Sequence, residues 1–503
     1  MDASLIETHV SVVLFLGDHA YKLKKPVVFP FADLSTRGAR QALCHREVEL
    51  NRRLAPDVYE GVADVLGPDG SACDHLVVMR RMPNDRRLSL LVETHDPRVG
   101  PAMDDLARVL AAFHLTADRS AEIDDAATRD AVADRWRRND DQMRGLTGSG
   151  LDPVALDRVM ALADRFLSGR DPLFDHRIAL GRICDGHGDL LADDIFLLDD
   201  GPRILDCIEF DDRLRHVDVV DDIAFLVMDL ERLGAANLGD ALVEAYEHAS
   251  GEVVPRNLLH VYVAYRAQVR AMVAGLRAAQ CDDAAERARH EAEAAELLDQ
   301  CVRRLERATV RLVIVGGLPG TGKTTVAKGI GERTGWAVLR SDVLRKELAG
   351  LPADEATAAS YRSGIYTAEM TDRTYDVLLG EARRLLMLGE SVVLDASFVS
   401  DRHRRTARAL AGEMGSELVE LRCTVGDDVA TERIRLRMAG GIDASDADPG
   451  VAARLAEVID GWPESIDVPT DGHIDAVVDQ ALAHALAGPG SAVGARPDGP
   501  VGR

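Results

Sequence analysis

No window of the sequence approaches the ~20 consecutive apolar residues that a membrane-spanning helix needs, so no membrane partner is expected. Cysteine is sparse and unpatterned. The seven residues, at 44, 73, 184, 207, 281, 301 and 423, are odd in number and include no CxxC pair. That spacing excludes a disulfide framework or zinc site and fits reduced thiols in the cytoplasm. The opening MDASLIETHV lacks the basic start and apolar core of a signal peptide, which again points to a cytoplasmic protein. Lysine is the scarcest charged residue: of 60 basic residues only Lys22, Lys24, Lys25, Lys323, Lys328 and Lys346 are not arginine. Where arginine is the default cation, a lysine marks a place for a compact ammonium instead of a planar fork.

What is abundant narrows the field further. The net charge of −25 repels polyanions, and a nucleic-acid partner needs a basic surface, so DNA and RNA are disfavoured. At 503 residues the chain exceeds the roughly 250–300 residues at which single cores stop growing. Two domains are expected, over residues 1–305 and 306–486, with a Gly/Pro-rich, disordered tail at 487–503. Along the first, VSVVLFL, the turn Gly17-Asp18-His19 and AYKLKKPVV read as a hairpin. A helix follows over Ser35–Leu54, then a strand at 75–82 and a helical stretch over 100–170. DDIFLLDD and RILDCIEF read as short strands around Gly201-Pro202, and helices fill 217–250 and 255–305, the last a solvated one. From Val310, strands and helices alternate, as in a three-layer α/β domain.

The second domain carries the sharper chemistry. Gly317-Leu-Pro-Gly320-Thr-Gly322-Lys323-Thr324 matches GxxxxGK[ST] between a strand and a helix. The glycines let backbone N–H groups turn in around phosphate, Lys323 reaches the β and γ oxygens, Thr324 ligates Mg²⁺, and Thr325 completes the ATP-binding run. Asp395 ends the apolar strand of ESVVLDASF as a second candidate Mg²⁺ ligand. Asp342 and Arg345 lie just past another strand, at the end of the sheet where ligands bind. Asp342 is a candidate base for a hydroxyl, Arg345 a candidate clamp for an anionic group. Arg433 and Arg437, four apart on a helix, are candidates to close over the phosphates. These runs resemble the P-loop small-molecule kinases related to zeta-toxin and gluconate kinases, often labelled AAA-type ATP-binding domains. The resemblance covers roughly 310–485 and implies ATP-dependent phosphorylation of a hydroxyl.

The first domain holds a quieter pattern. Asp185-Gly-His-Gly-Asp189 is followed about 17 residues later by Asp206, and two loop carboxylates separated by a hairpin can supply one base and one Mg²⁺ ligand. Lys22 and Lys24 lie on one side of a strand, with Glu47 on the helix after it. This order resembles the aminoglycoside phosphotransferase-like branch of the protein-kinase-like fold. The resemblance implies Asp189 as catalytic base, Asp206 as metal ligand, Lys22 or Lys24 as the phosphate-binding lysine and Glu47 as its partner. The metal-binding asparagine of the family is Asp194 here, and no glycine-rich loop precedes the lysine strand. Together the halves resemble the bifunctional aminoglycoside phosphotransferase/ATP-binding proteins of bacteria. The resemblance implies a bilobal protein-kinase-like domain followed by a P-loop α/β/α domain, with ATP and Mg²⁺ as cofactors and a small-molecule hydroxyl as acceptor. An ATP-binding regulatory protein, with a P-loop switch and a pseudokinase half, is the alternative.

Overall fold

The computed structural model describes residues 3–7, 10–29, 32–352, 367–440 and 449–487. The tail expected from 487 lies outside them, Ala487 excepted. Two compact units emerge: one takes in the chain up to Ala163 and Phe174–Ala308, the other Asp164–Leu173 and the chain from Thr309.

The first unit opens with a five-stranded antiparallel sheet. Its order is Ala3–Glu7, Ser11–Leu16, His19–Lys24, Ala72–Arg80, Tyr59–Leu66. The expected hairpin forms around Gly17, pairing Val13 with Lys22 and Ser11 with Lys24. Two strands of this sheet, Ala3–Glu7 and Tyr59–Leu66, have too weak an alternation to be legible beforehand. The helix Arg37–Asn51 starts where Thr36 accepts a hydrogen bond from the Ala39 amide. It buries Cys44 and Val48 against Ala20, Tyr59, Val77 and Met79.

The rest of the unit is helical apart from a short pairing of Val28–Phe29 with Ala32–Asp33 and two small two-stranded sheets between its helices. One pairs Ile195–Leu198 with Gly201–Ile204, so the strand expected over RILDCIEF ends at Ile204. The other pairs Ile183–Asp185 with His216–Asp218 and carries the HGD loop at its edge. The helix Ala284–Arg307, expected to be solvated, instead buries Ala294, Leu297, Leu298, Cys301 and Leu305. Its apolar positions recur every three or four residues and form one stripe, which the density of charge around them hides. Among the described residues no helix is long and apolar enough to cross a membrane.

The second unit is a parallel sheet in the order Ala337–Arg340, Val392–Asp395, Arg311–Gly316, Glu417–Thr424, Ile466–Pro469. The central strand Arg311–Gly316 is buried at every residue, which explains its unbroken apolar run. The register sets Val315 and Arg340 on either side of Asp395. The P-loop, Asp395 and the helix Ser341–Leu348 therefore all leave from the carboxyl edge of one sheet.

Candidate functional site

The P-loop runs from Gly316 into the helix Lys323–Thr334. Thr321 ties the loop to itself, bonding the Leu318 carbonyl at 2.8 Å, and Thr470 bonds the Thr321 carbonyl at 2.7 Å. Gly320 has a φ of +82°, and a Cβ there would stand 2.5 Å from the Ala430 carbonyl oxygen. Gly320→Ala is therefore expected to displace the loop and weaken nucleotide binding by ten-fold or more, as titration with AMPPNP would read, since strain of this kind costs about 1–3 kcal/mol. Gly317 and Gly322 also have positive φ. Thr325 is exposed on the helix's first turn.

Thr324 Oγ1 donates to Asp395 Oδ2 at 2.7 Å, and Arg340 Nε lies 3.3 Å from the same oxygen. Burial pushes the Asp395 carboxyl up, and Lys323 is the main cation that opposes it. A hydroxyl and a buried carboxylate at one point suit a hard, oxygen-seeking cation such as Mg²⁺. Asp342 adds its charge to that of Asp395. Asp342 and Arg345 both act on the buried phenol of Tyr375, which puts this acid and this arginine in one neighbourhood. Arg345 is buried and donates to Thr371 Oγ1 at 3.1 Å. Arg433 bonds Thr470 through Oγ1 at 3.1 Å and through the carbonyl at 2.7 Å. Its Nη1 would lie 3.6 Å from a Cβ on Gly322. Arg437 lies on the same helix, Asp427–Gly440, with its side chain outside the described set.

In the first unit, Lys22 Nζ lies 2.9 Å from Glu47 Oε1 and 2.6 Å from Asp206 Oδ1. Lys24 is only 1% exposed and is locked between Glu47, at 2.6 Å, and Glu209. The two lysines do share a side, yet Lys22 alone reaches the candidate metal ligand. Asp206 holds a left-handed backbone with φ +64°, and its amide donates to the Tyr59 hydroxyl at 3.2 Å. Lys22 holds the Asp206 carboxyl below its usual range, against the pull of burial. Asp194 behaves oppositely: burial, then Asp206 and Asp189, push its carboxyl well up. Burial also lifts Asp189, to about 6, with Arg270 as its strongest opposing cation. Carboxylates that repel one another with one lysine between them suit a divalent cation. Among the described residues no three His, Cys, Asp or Glu side chains are drawn together as a metal cluster.

A second ring of residues, which the sequence did not announce, fixes the HGD loop. Asp222, on the first turn of Val219–Arg232, accepts from the amides of His187 and Gly188, each at 2.8 Å, and pairs with His114 at 3.0 Å. Its approach leaves no room for a side chain at Gly186, where a Cβ would stand 2.6 Å from Asp222 Oδ2. Arg53 donates to the carbonyls of Asp185 and Gly186, both at 2.9 Å, and Arg215 pairs with Asp185 at 2.7 Å. The one hint in the sequence was Asp221-Asp222 inside an otherwise apolar run. Asp222→Asn turns one acceptor oxygen into a donor facing a donor. The expected loss in urea unfolding is about 2–4 kcal/mol.

His187 is buried and neutral. Nε2 faces the Leu205 carbonyl at 3.1 Å and Nδ1 accepts from the Asp189 amide at 3.3 Å, so the proton sits on Nε2. Burial lowers its pKa to about 4, and that of His260, which accepts from Arg304 at 3.0 Å, to about 3. Below the unfolded value of 6.5 the unfolded chain takes protons that the folded one refuses. Stability therefore falls with pH, by roughly 1.4 kcal/mol per unit per histidine, until pH drops below the folded values. Unfolding between pH 7 and 4.5 checks this, and His187→Gln is expected to flatten the slope.

The chain thus joins a unit in which a five-stranded antiparallel sheet and helices surround the HGD loop to a parallel-sheet unit that carries a P-loop. The AAA domain family matches residues 312–461. The uncharacterized proteins Rv2004c of Mycobacterium tuberculosis and Mb2027c of Mycobacterium bovis are each 41% identical to the chain over 477 residues, 94% of this chain and 94% of theirs. The chain belongs to the same family as these mycobacterial proteins. Solved structures that align with it include a choline/ethanolamine kinase family protein from Mesorhizobium loti, at 16% identity over 61% of this chain and 92% of that one, with a TM-score of 0.36. A gluconokinase from Sinorhizobium meliloti aligns at 20% identity over 36% of this chain and 91% of its own, with a TM-score of 0.26.

Proposed function

We propose that the chain is an ATP-dependent phosphotransferase with two ATP·Mg²⁺ sites, each acting on the hydroxyl of a small molecule in the cytoplasm. Residues 1–305 form one catalytic domain and 306–486 the other. The observation that carries the reading is the Lys22 bridge: one ammonium joins the helix carboxylate Glu47 to the loop carboxylate Asp206. That linkage orders the parts a kinase needs around its phosphates.

In the N-terminal domain Lys22 holds ATP phosphate oxygens, and Asp194 and Asp206 hold Mg²⁺. Asp189 takes the acceptor's proton, and a carboxyl lifted to about 6 is ionised at neutral pH yet basic enough for the task. In the C-terminal domain the glycine amides and Lys323 hold the phosphates, with Arg433 and Arg437 over them. Thr324 and Asp395 hold Mg²⁺, Asp342 is the base and Arg345 meets the acceptor. At both sites Mg²⁺ neutralises charge on the phosphate oxygens.

Asp194 favours a second reading. A carboxylate where the resembling family has asparagine adds negative charge beside ATP, as suits a unit that binds without transferring while the P-loop acts as a switch. Following ADP and phosphorylated products in a pooled metabolite extract separates the two. Wild type, Lys323→Ala and Asp189→Asn are compared. Acceptor-dependent ADP lost in part with each substitution supports two kinase sites. Loss with Lys323→Ala alone supports the switch-like N-terminal half, and no acceptor-dependent ADP in any sample overturns the kinase reading.

A further inference from the structure

The helix Arg256–Gln280 meets the HGD loop through one face. Arg266 anchors it, with Nε 2.7 Å from Asp221 Oδ1 and Nη1 donating to the Gly188 carbonyl at 3.0 Å. Arg270 and Arg277 follow on the same face, within about 40° of Arg266 around a helix of 3.6 residues per turn. The opposite face is occupied: a Cβ at Gly275 would stand 3.1 Å from Leu151 and 3.3 Å from Ser149, and buried Gln268 bonds Asn139 at 3.3 Å.

Arg270 and Arg277 are both partly buried. Among the described residues neither side chain makes a hydrogen bond or an ion pair. Such guanidinium groups are costly to desolvate unless an anion meets them, and two together add mutual repulsion: burial and Arg270 hold the Arg277 guanidinium below its ordinary value. The carboxylates nearby do not discharge the pair. Asp229 is taken by Arg232 at 2.7 Å and by the Ala192 amide at 2.9 Å. Glu293 acts on Arg277 from the next helix, but its near neighbour is His290 at 3.5 Å. Asp189 feels Arg270 more strongly than any other cation, yet, with Arg266 paired to Asp221, that one carboxylate stands against the two remaining arginines of this face.

We propose that the acceptor at the N-terminal site is an anion, a hydroxy acid or a phosphorylated alcohol, whose carboxylate or phosphate is held by Arg270 and Arg277 while its hydroxyl faces Asp189. The proposal rests on the reading of Asp189 as the base. Planar forks of this kind match carboxylate and phosphate through paired hydrogen bonds. A cationic aminosugar, the acceptor that the family resemblance brings to mind, would meet like charge there.

Two measurements on the full-length Lys323→Ala chain, in which the P-loop site is silenced, test this. The first is calorimetric titration with inorganic phosphate. Arg270→Gln and Arg277→Gln are expected to weaken binding at least ten-fold, Arg270→Lys to restore part of it, and Asp189→Asn to tighten it by removing a repelling carboxylate. The second is ATP turnover with glycerate, gluconate and glycerol 3-phosphate against glycerol, glucose, glucosamine and choline. The acids or the phosphate ester are expected to be preferred, with KM raised ten-fold or more by either glutamine substitution, and comparing them distinguishes carboxylate from phosphate. Phosphate binding unchanged in both glutamine variants, or preferred turnover of glucosamine or choline, overturns the proposal. Turnover of no compound, with phosphate binding still dependent on both arginines, leaves the anion site standing and removes the kinase reading of this domain.

Discussion

Asp189→Asn is expected to lower phosphoryl transfer at the N-terminal site by about 10²–10⁴-fold, the contribution of a positioned general base. Asparagine keeps the size of the side chain but cannot take a proton. Nucleotide binding is expected to persist, because Lys22, Glu47 and Asp206 are untouched and one of three mutually repelling carboxylates is gone. Loss of binding together with loss of rate would mean that Asp189 holds the site together instead of acting in it. The pH profile adds a signature. Burial raises the Asp189 carboxyl to about 6, so the base becomes protonated as pH falls through that value. Activity of this site is expected to decline on the acid side of about pH 6, and the residual rate of the asparagine variant is expected to lack that limb.

Lys323→Ala is expected to cost the P-loop domain about 10²–10³-fold in nucleotide-dependent activity, the scale of removing one preorganised charge donor from a transition state. The effect has a local consequence that geometry makes visible. Lys323 is the main cation opposing burial at Asp395, so its removal leaves the buried carboxyl still harder to ionise and the Thr324–Asp395 pair a poorer Mg²⁺ site. A higher Mg²⁺ concentration at half-maximal activity in the variant, measured with the N-terminal site silenced by Lys22→Ala, checks the coupling. A variant that binds AMPPNP·Mg²⁺ as tightly as wild type would count against the assigned role of Lys323.

How much was legible in the sequence differed between the two halves for physical reasons. The P-loop is a local motif: its glycines, Lys323 and Thr324 are adjacent in the chain, and a buried parallel strand before it leaves an unbroken apolar run. The candidate site of the first unit is assembled from a strand near residue 22, a helix at 47, a loop at 189 and a hairpin end at 206. Only the resemblance to a known order of parts made that set readable. Periodicity could not separate Lys22 from Lys24, since both face one side. Three-dimensional partners separate them, with Glu209 locking Lys24 and Asp206 meeting Lys22.

The supporting residues were the least legible. Asp222, His114, Arg53, Arg215 and Arg266 come from distant segments, and nothing at a fixed spacing links them to the loop they hold. The charged helix Ala284–Arg307 misled for a related reason, since its apolar stripe is narrow and embedded in charge. Nothing in the sequence distinguishes Arg270 and Arg277 from the many other arginines, and only the helix places them on the face that meets the HGD loop.

The central claim, two ATP·Mg²⁺ sites in one chain, is tested most directly by the stoichiometry of AMPPNP binding in the presence of Mg²⁺. Two equivalents per wild-type chain are expected, falling to one in Lys323→Ala, to one in Lys22→Ala, and to none in the double variant. A single equivalent in the wild type, abolished by Lys323→Ala and unaffected by Lys22→Ala, would contradict it.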